Sequence, residues 1–176
     1  SDAVCTTIAK DVPVMTKVSV LTTDLDTGAI ELQWSPPTDA DTVVFPGPYF
    51  YEVFGRSDGG ANTEELVLHQ TASGSYLEFS DTLWTHEGLD SQSNAWTYRV
   101  RCVSAAGEIG ISSPASSPWL SVEPNDNQLT LKVEANVPWS NEVYQIYRED
   151  VDGVFQWIGE SNENTYVDSG LLNNVS

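Results

Sequence analysis

Apolar and polar residues alternate along most of this chain with a period of two. Ile30, Leu32 and Trp34 fall on one face of an extended segment, with Glu31 and Gln33 on the other. Tyr98, Val100 and Cys102 likewise oppose Thr97, Arg99 and Arg101. Successive side chains of a strand point to opposite sides, so this pattern describes strands with one buried and one wet face, the habit of antiparallel sheets. No segment carries a helical period. Proline and glycine mark the joints: Pro36-Pro37 ends one strand, Phe45-Pro-Gly-Pro48 turns into the next, and Asp58-Gly-Gly60 reads as a hairpin tip.

Seven strands are predicted in the first part of the chain, at roughly 14–22, 28–35, 49–56, 65–71, 75–80, 96–104 and 109–120. Seven short strands with turns between them suit a Greek-key sandwich. The pattern then repeats. Val18-Ser-Val20, Gly28 to Trp34, Phe50-Tyr-Glu-Val-Phe54 and Ser75 to Asp81 recur in order as Leu120-Ser-Val122, Gln128 to Val133, Val143-Tyr-Gln-Ile-Tyr147 and Thr165-Tyr-Val-Asp168. Five strands are predicted in this second copy, near 120–123, 128–134, 143–149, 154–160 and 164–168, with none matching the last two of the first copy. The expected organisation is an N-terminal segment (1–13), a complete sandwich (14–120) and a second sandwich (121–176) incomplete at its C-terminus, together a piece of a longer modular protein. Pro118-Trp119-Leu120 joins the two without a Gly/Ser tether, so Trp119 and Trp139 are expected to bury around the junction.

Trp34 followed by Ser-Pro-Pro, Tyr51-x-Val53, Leu89 ahead of the sixth strand and Tyr98-x-Val100 within it resemble a fibronectin type III domain. The first copy departs from that pattern by a longer corner between Leu89 and Tyr98. A narrower resemblance rests on Lys10-Asp-Val-Pro13, Trp34-Ser-Pro-Pro-Thr38, Pro46-Gly-Pro-Tyr49, Ala115-Ser-Ser117, Val137-Pro-Trp139 and Tyr147-Arg148. It is to the repeated extracellular region of gliding-motility-associated, type IX secreted proteins of gliding bacteria. That resemblance implies an extracellular or cell-surface location, with a role in gliding motility or adhesion.

Charge narrows the choice of partners. The 176 residues hold 26 acidic and 7 basic side chains, a formal net charge of −19, which repels nucleic acid and anionic lipid. No stretch is long and apolar enough to cross a membrane as a helix. Cys5 and Cys102 are too few for a zinc site or a redox pair. Cys102 is expected to point inward as a free thiol, out of reach of Cys5. Asn174-Val175-Ser176 matches a glycosylation sequon.

Candidate chemistry is sparse. The histidines, His69 in a strand and His86 in the corner Trp84-Thr85-His86-Glu87-Gly88, stand in no motif with a nucleophile and an orienting acid. No catalytic, cofactor or metal residue is therefore assigned, and no enzyme activity is expected. Asp24-x-Asp26, Asp39-x-Asp41 and Asp150-x-Asp152-Gly153 would suit calcium oxygens at tight turns, yet Asp also closes turns by itself. Trp34 belongs to the core and Trp96 shares the face of Tyr98, whereas Trp84, Trp119, Trp139 and Trp157 are read as loop, junction or hairpin residues. The expected function is a structural or spacer module of a large secreted protein, whose partners are the other domains of that polypeptide. The alternatives are a module binding carbohydrate or surface proteins through loop aromatics and acidic turns, and an accessory domain of a secreted hydrolase.

Overall fold

Every regular element that the computed structural model describes, over residues 12–59, 63–70, 82–140 and 143–171, is a β-strand. The chain divides into two compact units between Ser117 and Pro118. In the first, β1 (Val14–Thr22), β2 (Gly28–Ser35) and β5 (Leu83–Leu89) form one antiparallel sheet in the order β1-β2-β5. The other sheet has the order β4-β3-β6-β7, from β3 (Phe50–Ser57), β4 (Glu65–Gln70), β6 (Trp96–Ser104) and β7 (Gly107–Ile111), and β8 (Ala115–Ser116) pairs with β6. The chain changes sheet after β2, after β4 and after β5, which makes a Greek-key sandwich of the immunoglobulin-like class.

Alternation sets what lies between the sheets. Ile30, Leu32 and Trp34 of β2 and Tyr51 and Val53 of β3 are buried, as are Tyr98, Val100 and Cys102 of β6. The Trp34 and Tyr51 rings meet edge to face, 5.5 Å between centroids, an arrangement that adds to the area they bury. On the outer face, Arg101 bonds Glu52 across the β3–β6 pair and lies over the Phe54 ring at 4.8 Å. Ser91 latches the end of the sandwich: its hydroxyl donates to the Thr22 carbonyl (2.7 Å) and accepts from the Asp24 N–H (3.2 Å).

The second unit repeats this plan. Strands β9 (Trp119–Asn125), β10 (Gln128–Glu134) and β13 (Thr165–Ser169) form a sheet in the order β13-β10-β9, and β11 (Tyr144–Glu149) pairs with β12 (Phe155–Ser161). Asp126 and Asn127 close the β9–β10 hairpin with Asn127 at φ 57°, a left-handed conformation that Asn tolerates well. Gly153, at φ 78°, serves the β11–β12 turn. Tyr166 of β13 donates to the Ile158 carbonyl (2.8 Å), and Arg148 of β11 reaches the buried Asp168 (2.8 Å), so these bonds join the two sheets.

Several expectations need correcting. The segment 75–80 lies outside the described residues, and the strand beside β2 is Leu83–Leu89, read from sequence as a corner. Thr85, Glu87 and Gly88 look like turn residues, yet Trp84 and His86 share one face and pair with Leu32 and Ile30. The expected last strand of the first sandwich is broken. Pro114 and Pro118 lack an N–H, so β7 and β8 are short and separate, and the Ser112 hydroxyl accepts from the Val100 N–H instead (3.0 Å). Trp84 is a strand residue of β5 rather than a corner residue; Trp119 opens β9 at the junction, Trp157 lies in the β11–β12 hairpin and Trp139 in a bend. Cys102 is a free, buried thiol as expected, while Cys5 and the sequon lie outside the described residues.

Trp34→Ala should cost about 3–5 kcal/mol and unfold most of the first unit, as followed by urea denaturation. Gly28→Ala should cost about 1–3 kcal/mol, because a Cβ there would collide with the Ser91 side chain and the Leu89 carbonyl. A native midpoint for either variant would contradict the packing described.

Candidate functional site

One side of the first sandwich carries an aromatic cluster built from adjacent strands of opposite sheets. Trp84 and His86 project from β5 at i, i+2 spacing, and Trp96 and Tyr98 from β6 at the same spacing. The His86 ring stacks on Trp84 (5.2 Å, 22°) and meets Trp96 (5.5 Å) and Tyr98 (5.9 Å) edge-on. Its Nδ1 lies 3.1 Å from the Tyr98 hydroxyl, and the Trp96 indole N–H donates to the Asp90 carbonyl (2.8 Å). Gly55 leaves room for Tyr98, since a Cβ there would approach the ring to 2.9 Å.

A cleft of about 260 Å³ opens beside this cluster, lined by Arg56, Thr63, Glu65, Val67, His86 and Trp96 among others. Burial lowers the His86 pKa and raises that of Tyr98, so the imidazole is held neutral and the phenol protonated. Neither group faces a nucleophile in the described contacts. Their chemistry is that of a hydrogen-bonded aromatic wall. Reading Trp84 to Gly88 as a corner hid this cluster; the matched Trp-x-His and Trp-x-Tyr spacings were the signal that could have found it.

The acidic turns are separate structures. Oδ1 of Asp24 accepts from the N–H groups of Asp26 (2.9 Å) and Thr27 (2.8 Å), and Oδ1 of Asp41 from those of Val43 (2.9 Å) and Val44 (3.2 Å). Asp150 does the same for Asp152 and Val154, both at 3.0 Å, and Asp90 for Gln92 and Ser93. These bonds lower the pKa of Asp24, Asp90 and Asp150. Each is a side-chain turn that consumes an acceptor oxygen. Among the described residues, no group of three or more His, Cys, Asp or Glu is placed to hold a metal ion. Burial pushes the Cys102 thiol up to about 12, leaving it protonated and unreactive at neutral pH. His69 lies in β4.

In the second unit the outer face of the β11–β12 ribbon presents three aromatic side chains, Tyr147, Phe155 and Trp157, which are 50%, 66% and 58% exposed. Cross-strand pairing sets Tyr147 opposite Trp157 and Glu149 opposite Phe155. Large exposed aromatics grouped in this way mark contact surfaces more often than scattered ones do.

His86 generates a pH test. Its folded-state pKa lies below the ordinary 6.5, so as pH falls through 6.5 the unfolded chain takes up a proton that the folded chain refuses. Stability of the first unit should therefore drop between pH 6.5 and the lower folded value, and this group should add no dependence above that window. His86→Phe should remove this component from a pH series of denaturation midpoints; an unchanged series would take His86 out of the buried cluster.

No protein-family model matches the sequence, and no curated protein matches it. Solved structures similar to this one include a myokine structure, at 12% identity and a TM-score of 0.38, covering 58% of this chain and 92% of that one. Another is titin kinase with its flanking domains, at 19% identity and 0.37, covering 61% of this chain and 16% of that one. A third holds the FN1–FN3 domains of chicken CNTN1, at 13% identity and 0.39, covering 90% of this chain and 54% of that one. This chain thus spans about half of the CNTN1 chain and a small part of the titin chain. The assignment of the first unit as an all-β sandwich of immunoglobulin-like topology rests on its own strand order.

Proposed function

We propose that this chain is a non-catalytic structural module, tandem fibronectin type III-like sandwiches that space or present other parts of a large secreted bacterial protein. The observation that carries the reading is where the chemically capable groups go. His86 is held neutral in an aromatic wall, Cys102 is a protonated core thiol, and one Asp of each acidic turn, Asp24, Asp41 or Asp150, accepts from backbone N–H groups. Side chains tied into the fold in this way support architecture rather than turnover.

Cell-surface location and a role in gliding motility or adhesion are proposed from the sequence resemblance alone. In this reading the second unit is the first five strands of a further sandwich. Its partners are the neighbouring domains of the same polypeptide. The −19 net charge favours a solvated surface in that setting.

The exposed Tyr147, Phe155 and Trp157 favour a second reading, a module that stacks neutral glycan rings on the β11–β12 ribbon. Titrating the full chain with a panel of neutral oligosaccharides, following tryptophan fluorescence, separates the two. The spacer reading expects no saturable change. A saturable change lost in Trp157→Ala would replace it with the binding reading. Calcium at millimolar concentration should leave the melting temperature unmoved, because only a ligand preferring the native state stabilises it. A chelator-reversible rise of several degrees would instead make Asp24, Asp26, Asp39 and Asp41 candidate ligands.

A further inference from the structure

The first sandwich is open along one side. Among the described residues, β4 ends the sheet β4-β3-β6-β7 and β5 ends the sheet β1-β2-β5, and these two edge strands flank the gap between the sheets. The cleft beside the aromatic cluster lies there. It takes Glu65 and Val67 from β4, His86 from β5, Ser57 from β3 and Trp96 from β6, with Thr63 just ahead of β4.

Register fixes which groups face it. Ser57 pairs with Trp96 and Gly55 with Tyr98, and on the other edge of β3 Gly55 pairs with Glu65. Directly paired residues of neighbouring strands share a face. That face is the inner one, because a Cβ on Gly55 would meet the Tyr98 ring at 2.9 Å and the Val67 side chain at 3.5 Å. The row that carries Tyr51 and Val53 into the core therefore ends in Ser57, and the neighbouring row on β4 sets a carboxylate, Glu65, where alternation calls for an apolar side chain. Glu64, one residue earlier, meets Arg99 (3.3 Å), whereas Glu65 has no cationic partner among the described residues. Arg56 also borders the cleft. It pairs with Thr97 on the outer face, where its Nε stands 3.9 Å from Asp58, so what it turns to the cleft is its backbone. His86 spends Nδ1 on the Tyr98 hydroxyl and is neutral, so it repels no cation.

We propose that this cleft binds a primary alkylammonium group, the end of a peptide lysine side chain or of a free amine, between the Glu65 carboxylate and the Trp96 ring. Glu65 supplies the countercharge, and a charge-assisted hydrogen bond to it is the strongest single contact on offer. The hydroxyl oxygens of Ser57 and Thr63 accept further N–H donors, which a primary ammonium has and a quaternary one lacks. Trp96 and Val67 cover the alkyl stem, and the indole adds a cation–π attraction. A cleft of about 260 Å³ is smaller than a drug-sized site and suits one short, narrow group. The −19 net charge of the chain raises the local concentration of cations and turns anions away.

The test is to titrate the full chain with Nα-acetyl-lysine amide, n-butylammonium and Nα-acetyl-norleucine amide, following the NMR signals of the Trp96 indole and the His86 ring. The first two should give saturable shifts and the third, which keeps the stem and lacks the charge, none. Tighter binding of the lysine amide makes a peptide lysine the source of the group, and equal binding makes it a free amine. Glu65 is exposed, so Glu65→Gln should keep a native denaturation midpoint while weakening ammonium binding about tenfold or more. Glu87→Gln, which removes an exposed charge outside the cleft, should change it less than about twofold. Three results would overturn the proposal. One is the absence of a saturable shift with either ammonium at tens of millimolar, and another is equal shifts with the norleucine amide. The last is equal weakening by Glu65→Gln and Glu87→Gln, which would leave only the diffuse charge of the chain.

Discussion

The first unit depends on β3 having β6 beside it. A single pairing, Phe50 through Ser57 against Val103 through Trp96, closes the backbone bonds of the central strand and sets Val100 opposite Val53 and Cys102 opposite Tyr51 under Trp34. The same pairing brings Arg101 over Phe54 and against Glu52 on the outer face. Through β8 and β6 it also reaches β1, so the far edge of the opposite sheet is covered by the same element. Strand pairing of this kind adds little per residue by itself; its weight lies in the apolar faces that it brings together.

Among the described residues of the second unit, β11 is paired by β12 alone. The two sheets of that unit are joined by the Tyr166 hydroxyl and by the Arg148–Asp168 pair, polar contacts that do not bury area on the scale of Trp34 and Tyr51. Among its described residues the buried side chain is that of Asp168 rather than an apolar one. A two-stranded ribbon is marginal by itself in water, and an unpaired edge is a template for another strand. Leu120, Val122, Tyr147 and Trp157 are among its exposed apolar and aromatic side chains.

Much of this was legible in the sequence because period-two alternation is a direct record of burial. Strands β1, β2, β6 and β10 have the expected bounds, and Trp34, Tyr51, Val53, Tyr98 and Val100 form the expected core. Strand β5 was hidden because its residues are turn formers and its burial is partial: Trp84 and His86 are covered by other aromatic rings rather than sunk between the sheets. The breaks at Pro114 and Pro118 were underread because apolar alternation continues across them while the N–H donors do not. The acidic turns were ambiguous from sequence, since Asx turns and calcium loops draw on the same residues. The carboxylate distances to backbone N–H groups speak for the turn in Asp24, Asp41 and Asp150.

The central claim is that β3, paired on both edges, is held more firmly than β11, which among the described residues is paired by β12 alone. Native-state hydrogen exchange on the full chain measures it most directly, strand by strand. The account predicts that amides of Phe50–Ser57 and Trp96–Ser104 exchange only through global unfolding of the first unit, while those of Tyr144–Glu149 exchange through much cheaper local opening. Equally slow exchange in β3 and β11 would contradict it.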